Sequence, residues 1–335
     1  MCRLFGFRAV NQSQVHQSLV HAENALLRQS EHHRDGWGVA YYEADTPQIV
    51  KSAATACDDE HYRRVSALVS SRTVLAHIRN ATAGEAVVHN SHPFQYGRWV
   101  FAHNGKIGHF DRIRPRLLAK IAPEFRACIQ GETDSECIFF LVLTHLSQRI
   151  DLHQESHPLH DIVEGVRSAV RDLCKLTGGM SRGDSSAEAS TFLTFILTDG
   201  DNMLAHQGGK ELYYSTYKNR CAQRHTCPSW SPACENPSVD GQLTHFMLAS
   251  EALQGENIWQ PLGFGEFLGV DARMRVHRFE LASQVNMHQH ELTPPIISQR
   301  SGGEDASQEK RYAEGHIFTA GKRPQIPHGT HQRFV

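Results

Sequence analysis

Short strand-like runs follow one another along this chain with few helices between them. "GWGVAYYE" (36–43), "TVLAHIRNA" (73–81) and "RWVFAHNG" (98–105) form an early series. "TFLTFILT" (191–198), "ELYYSTY" (211–217), "HFMLAS" (245–250) and "RVHRFEL" (275–281) form a late one. Parallel neighbours need a crossover, usually a helix, between them. The order here predicts antiparallel sheets instead. Two helices are expected between the series. "GETDSECIFFLVLTHL" (131–146) opens with a capping box, Thr133 at the N-cap and Glu136 three residues on. Its apolar residues occupy all sides, so the helix should be buried. Leu159, Ile162, Val163, Val166, Val170 and Leu173 mark a second, amphipathic helix. Val15, Leu19, Ala22 and Leu26 fit one helix face near the start. A pair of sheets sandwiched between helical layers accommodates all of these.

Composition narrows the functional classes. With 335 residues, 40% of them apolar, the chain can bury a substantial core. A net charge of -2 argues against a nucleic-acid binder working through a broad basic surface. The basic run "RIRPRLLAK" (112–120) reads as a solvated helix face. "CIFFLVL" (137–143) is too short to span a bilayer, so no membrane partner is expected. Arg3 and Arg8 interrupt the opening, which predicts no signal peptide. The eight cysteines are scattered rather than framed for disulfides, and a cytoplasmic protein is expected.

The opening "MCRLFGFRAV" places Cys2 at the head of the apolar series Leu4, Phe5, Phe7 and Val10. Such a cysteine is ordinarily a small apolar residue of an edge strand. Loss of Met1 would give it a free α-amine, and with it a nucleophile and a weak base on one residue. Amide hydrolysis needs such a pair: the thiolate attacks the carbonyl, and an amine of pKa about 7.7–8.0 takes and returns the proton. The oxyanion then needs preplaced donors. Asn104 offers a side-chain amide and Gly105 a backbone N–H, although "HNG" alone reads as a turn ending the strand. Arg79 carries a planar fork suited to a carboxylate, Thr82 a hydroxyl, and Asp134 a partner for an ammonium. Taken singly, Arg79 reads as a surface ion pair and Asp134 as a helix-dipole partner.

The ordered set Cys2, "DGWGVAYY" (35–42), "AHIRNAT" (76–82), "NSHPF" (90–94), "FAHNG" (101–105) and "GETDSE" (131–136) resembles the class II glutamine amidotransferases, which are N-terminal-nucleophile (Ntn) hydrolases. It most resembles the small stand-alone members, a group that includes γ-glutamyl hydrolases. The motifs cover residues 2–136, and "LASEAL" (248–253) with the later strands is compatible. The resemblance implies an α+β fold, a four-layer αββα sandwich with antiparallel sheets, over residues 1–285. It implies Cys2 as nucleophile after Met1 removal, with Asn104 and Gly105 as the oxyanion hole. Arg79 and Thr82 would hold a substrate α-carboxylate, and Asp134 the α-ammonium. The expected partner is a small γ-glutamyl compound, with no cofactor.

The chain departs from the larger, synthase-linked members at Asn80 and Ala83, where those carry Trp and His. It also shows no synthase module. Water would then accept the acyl group, or ammonia would pass to a separate synthase partner. A non-glutamyl amidase would leave the charges of Arg79 and Asp134 unpaired. A non-catalytic binding or regulatory protein is the reading from another class. The insertion 218–241 holds Cys221, Cys227, Cys234 and His225. Its spacings are wider than common zinc patterns, so incidental cysteines and no metal are expected. Residues 286–335 are polar and His-rich and read as a mobile tail, with "HIFTA" a docking segment.

Overall fold

A computed structural model of the chain describes residues 2–81, 84–182, 187–222, 224–227, 230–281 and 287–288. The first part supplies β1 (Arg3–Gln14), α1 (Leu26–Gln29), β2 (Trp37–Glu43), β3 (Thr46–Ser52), α2 (Glu60–Leu68), β4 (Ser70–Ile78), β5 (Phe94–Tyr96) and β6 (Trp99–Lys106). Helices α3 (Phe110–Leu118), α4 (Pro123–Arg126), α5 (Asp134–Ser147) and α6 (Leu159–Thr177) follow. Strands then resume as β7 (Met180–Ser181), β8 (Phe192–Thr198), β9 (Met203–His206), β10 (Tyr213–Ser215), β11 (His245–Ala249), β12 (Gln260–Pro261), β13 (Glu266–Val270), β14 (Val276–Glu280) and β15 (Met287–His288).

Two antiparallel sheets result. One runs β12-β10-β11-β1-β4-β2-β3 and the other β14-β13-β9-β8-β6-β5. Three apolar clusters separate four layers. Leu4, Ala40 and Leu75 of the first sheet meet Val100, Ala102, Ile196 and Met203 of the second. Phe5, Phe7, Val39 and Val74, on the other face of the first sheet, pack on Leu19, Leu26 and Tyr62. Phe101, Phe195 and Phe267 of the second sheet pack on Phe139, Leu143, Val166 and Val170 of α5 and α6. The expected αββα sandwich is therefore present. Strand alternation generates it, because each strand sends successive side chains into two different cores.

Helix α5 starts where its capping box predicts: the Thr133 side chain accepts a hydrogen bond from Glu136 N at 3.3 Å. The Glu136 carboxylate does not complete the reciprocal box. It turns to the N–H groups of Gln130 and Gly131, at 2.9 and 2.7 Å. All of α5 except His145 and Ser147 is buried. The basic run lies largely in α3, where Arg112 and Arg116 are exposed.

Two expectations need correction. The face Val15, Leu19, Ala22, Leu26 does not form one helix: a π-helical turn at Gln17–His21 and α1 are separated by an extended Ala22. Asn24 holds this break open, donating to Glu251 Oε1 and Ala252 O and accepting from Gln254 N. Nor does a strand end at Asn104-Gly105. β6 continues to Lys106, with Asn104 opposite Thr194 and Gly105 opposite Leu193. Glycine serves close approach here rather than a turn, since a Cβ at Gly105 would lie 2.1 Å from Phe192 O and 2.5 Å from His103 Nε2.

Residues Met1–His290 cluster as one compact unit. Of the tail expected from 286, only Met287 and His288 are described, pairing in parallel with Met180 and Ser181. "HIFTA" lies outside the described residues. Among the described residues, no helix is long and apolar enough to cross a membrane.

Several histidines are buried as neutral groups. Burial pushes His206 of β9 and His77 of β4 down to about 3 from an ordinary 6.5, and burial pushes His92 down too. A histidine with its folded pKa depressed binds a proton only in the unfolded chain across this window. Stability is therefore present above pH 6.5 and lost as pH falls towards about 3. Each such group contributes a slope of about 1.4 kcal/mol per pH unit. Urea titrations at neutral and mildly acid pH should show this loss. In His206→Gln the slope should shrink by about one proton.

Candidate active site

The site forms where the start of β1, the end of β4, the end of β6 and the first turn of α5 converge. β1 lies between β4 and β11, with Arg3 opposite Ile78 and Leu4 opposite His77. That register carries Cys2 alongside the residues that follow β4. Asn80 N donates to Cys2 Sγ at 3.3 Å, and the thiol lies 3.3 Å from the Asn80 carbonyl. Burial pushes the Cys2 thiol up. The Asn80 amide and the Arg79 charge pull it down, and the Asp134 charge raises it. A nucleophile candidate, a cation and an anion therefore feel one another in one place.

Arg79 is only 2% exposed. Its guanidinium donates to the carbonyls of Glu85 at 2.9 Å, Gly84 at 3.1 Å and Asp35 at 3.4 Å. These bonds fix the plane of the fork. They tie Arg79 to the loop that follows it, whereas a surface ion pair would leave it free to swing. The loop in turn is tied to α5: Asn90 donates to Glu85 O at 3.1 Å and accepts from Glu132 N at 3.0 Å. Thr82 and Ala83 lie outside the described residues.

Asp134 is the first residue of α5 and is buried. Its Oδ1 accepts from Ser135 N at 2.8 Å and its Oδ2 from Ile107 N at 2.7 Å. Asn104 is also buried, and its Nδ2 donates to Ser250 Oγ at 3.4 Å. Ser250 Oγ accepts Leu4 N at 3.0 Å, and Ser250 N donates to Leu4 O at 3.0 Å. One serine thus couples the Asn104 amide to the strand that begins beside Cys2. Gly105 follows Asn104 on β6.

Ser250, Ser135, His103 and Asn90 are site residues that sequence reasoning missed. Ser250 and Ser135 fall inside the motifs "LASEAL" and "GETDSE", and His103 and Asn90 inside "FAHNG" and "NSHPF". The motif boundaries were the available signal, while the contacts are long-range. Cys221, Cys227 and Cys234 lie elsewhere, lining a pocket of about 610 Å³ with His245 and Lys218, and Cys2 is not among its lining residues. His225 does not line it either. Among the described residues, no three His, Cys, Asp or Glu side chains are grouped to hold a metal.

Residues 1–271 match the family model of the class-II glutamine amidotransferases. The chain belongs to that family. Over 165 residues it is 33% identical to the probable glutamine amidotransferase DUG3 of Saccharomyces cerevisiae, covering 44% of this chain and 46% of the yeast protein. Over 74 residues it is 36% identical to the γ-glutamyl-hercynylcysteine sulfoxide hydrolase of Mycobacterium tuberculosis, covering 22% of this chain and 32% of that protein. The aligned stretch spans about half the length of the first curated relatives it matches. A solved glutamine aminotransferase class-II domain protein from Silicibacter pomeroyi shares the fold at TM-score 0.54 and 22% identity, over 83% of this chain and 99% of its own.

Ser250→Ala tests the link between β1 and β6. It leaves the buried Leu4 N–H without its acceptor and releases the Asn104 amide. The expected cost is about 1–3 kcal/mol in denaturant unfolding, with Cys2 alkylation by iodoacetamide still observed in the folded variant.

Proposed function

We propose that this chain hydrolyses the γ-amide bond of a γ-glutamyl compound through a thioester on Cys2. The observation that carries the reading is that Arg79 and Asp134 are both buried and both act electrostatically on the Cys2 thiol. A γ-glutamyl group presents an α-carboxylate and an α-ammonium at one end and the scissile carbonyl at the other. Arg79, with Thr82, binds the carboxylate through its fork. Asp134 binds the ammonium. The carbonyl is then held beside the thiol.

Removal of Met1 gives Cys2 a free α-amine, which takes the thiol proton directly or through a water molecule. The thiolate attacks the γ-carbonyl. The oxyanion accepts hydrogen bonds from Asn104 Nδ2 and Gly105 N–H, which the rigid strand β6 holds ready. As the tetrahedral intermediate collapses, the ammonium of Cys2 returns its proton to the departing amine. Water then attacks the thioester, the amine again accepts the proton, and glutamate leaves. No step requires a cofactor.

The mycobacterial relative's name supports a hydrolase, and the yeast relative's name an amidotransferase. Asn80 and Ala83 favour the hydrolase, since they are smaller than Trp and His and leave room for a larger leaving group. Binding energy from that group then lowers the chemical barrier, so the preferred substrate should exceed glutamine in kcat as well as in KM.

Glutamate release from L-glutamine, γ-glutamyl amides and γ-glutamyl thiol conjugates decides between the readings. A conjugate that surpasses glutamine is the expected result. Glutaminase activity that no conjugate surpasses, raised further by a co-purifying synthase, points instead to ammonia delivery. Cys2→Ala should abolish turnover with the fold intact, and intact mass should show Met1 absent. Asp134→Asn should raise KM for γ-glutamyl substrates, since removing one partner of a desolvated charge pair costs about 2–5 kcal/mol. Full turnover by protein that retains Met1 would count against the amine's role.

A further inference from the structure

We propose that His103 is a positioning residue for the amino-group subsite: it engages the Ser135 hydroxyl and so keeps a lone pair of Asp134 open for the substrate ammonium. The inference rests on the reading of Asp134 given above and extends it to a residue that no substrate atom touches.

The hydrogen positions follow from the partners. His103 Nε2 lies 2.9 Å from the Phe192 carbonyl, which can only accept, so Nε2 carries a proton. Burial lowers the His103 pKa while the Asp134 charge raises it, with a net shift downwards that favours the neutral ring. Nδ1 is then a bare acceptor, 2.8 Å from Ser135 Oγ. The serine hydroxyl must therefore donate to it. That hydroxyl has one hydrogen and one rival acceptor, Asp134 Oδ1 at 3.3 Å.

A carboxylate offers roughly four lone-pair sites. Ile107 N and Ser135 N fill one on each oxygen of Asp134. With the hydroxyl held by His103, the remaining lone pairs stay open to an ammonium. Without Nδ1, the hydroxyl rotates to Oδ1 and competes with the substrate for it. The ring cannot shift away easily. It is buried, anchored at both nitrogens, and folded over Gly105, where a Cβ would stand 2.5 Å from Nε2. The oxyanion-hole glycine and the ammonium subsite are thus linked through one imidazole.

The test compares γ-glutamyl-p-nitroanilide with glutaryl-p-nitroanilide, which has the same carboxylate and anilide but no α-amine. His103→Leu should raise KM for the first about tenfold relative to its effect on the KM of the second. His103→Asn, which keeps an acceptor near the Nδ1 position, should show a smaller rise. Adding Ser135→Ala to His103→Leu should reverse most of the rise, because the competing hydroxyl is gone. An equal rise for both substrates, or no relief from Ser135→Ala, would overturn the proposal. Should the leucine variants not fold, ¹⁵N NMR of the natural chain with labelled histidine decides. A protonated Nε2 and a bare Nδ1 on His103 are expected, and the opposite tautomer or an imidazolium at neutral pH overturns the proposal. Asp134→Asn separates the two layers: if it raises KM for neither anilide, the reading of Asp134 falls whatever the His103 tautomer proves to be.

Discussion

The buried guanidinium of Arg79 organises the site. A charge at this depth is costly unless its donors are met. Here the backbone meets them, through the carbonyls of Asp35, Gly84 and Glu85. Carbonyls at fixed backbone positions orient the fork. Asn90 ties the loop that supplies two of them to Glu132, two residues before α5, so Arg79 and the start of α5 belong to one hydrogen-bonded frame. Their spacing is consequently a property of backbone segments, which resist deformation more than long side chains do.

Cys2, the proposed nucleophile, is positioned by a different device. Cys2 leads into β1, which has a neighbour on each side in the seven-stranded sheet. The start of a chain frays unless a sheet or a docking contact ties it down. Here the ladder to β4 and β11 ties it, and Ser250 adds a link from Leu4 to Asn104. Two sheets packed face to face thus hold Cys2 and the Asn104 end of β6 with little freedom, the preorganisation that the proposed oxyanion would require.

The layered architecture was legible because alternation and spacing are local signals. Phe5 and Leu4 point to opposite cores for the same reason that they are adjacent in sequence. α5 was legible from Thr133 and from its all-round apolarity, and α6 from its single apolar stripe. What was not legible depended on distant partners. The break before α1 is set by Asn24 reaching Glu251 and Ala252, and no local rule encodes that. Asn104-Gly105 carries a turn signal, yet Gly105 is needed because His103 and Phe192 crowd it inside the sandwich. For the site, the residue types in Cys2, Arg79 and Asp134 suggested their chemistry, and the structure brings those three into electrostatic contact. The serines and histidines that orient them have no motif of their own.

Specificity in the proposed reaction then reduces to a charge-closing condition. Arg79 and Asp134 bring charges to bear on Cys2, while burial favours the neutral form of the adjacent imidazoles. The tilted rings of His77 and His92 lie 4.1 Å apart between centroids, and burial pushes both pKa values far down. Neutral rings fill the space between strands as polarisable bulk and add no cation that would compete for Asp134. An α-amino acid head brings one carboxylate and one ammonium, and so matches the roles proposed for Arg79 and Asp134 at once. A ligand lacking either group forgoes one of the two pairings while still bearing the cost of desolvation. Selection for the γ-glutamyl head is in this view electrostatic and rigid, whereas selection for the leaving group is steric. The first is built into the frame around Arg79, and the second can change without disturbing it.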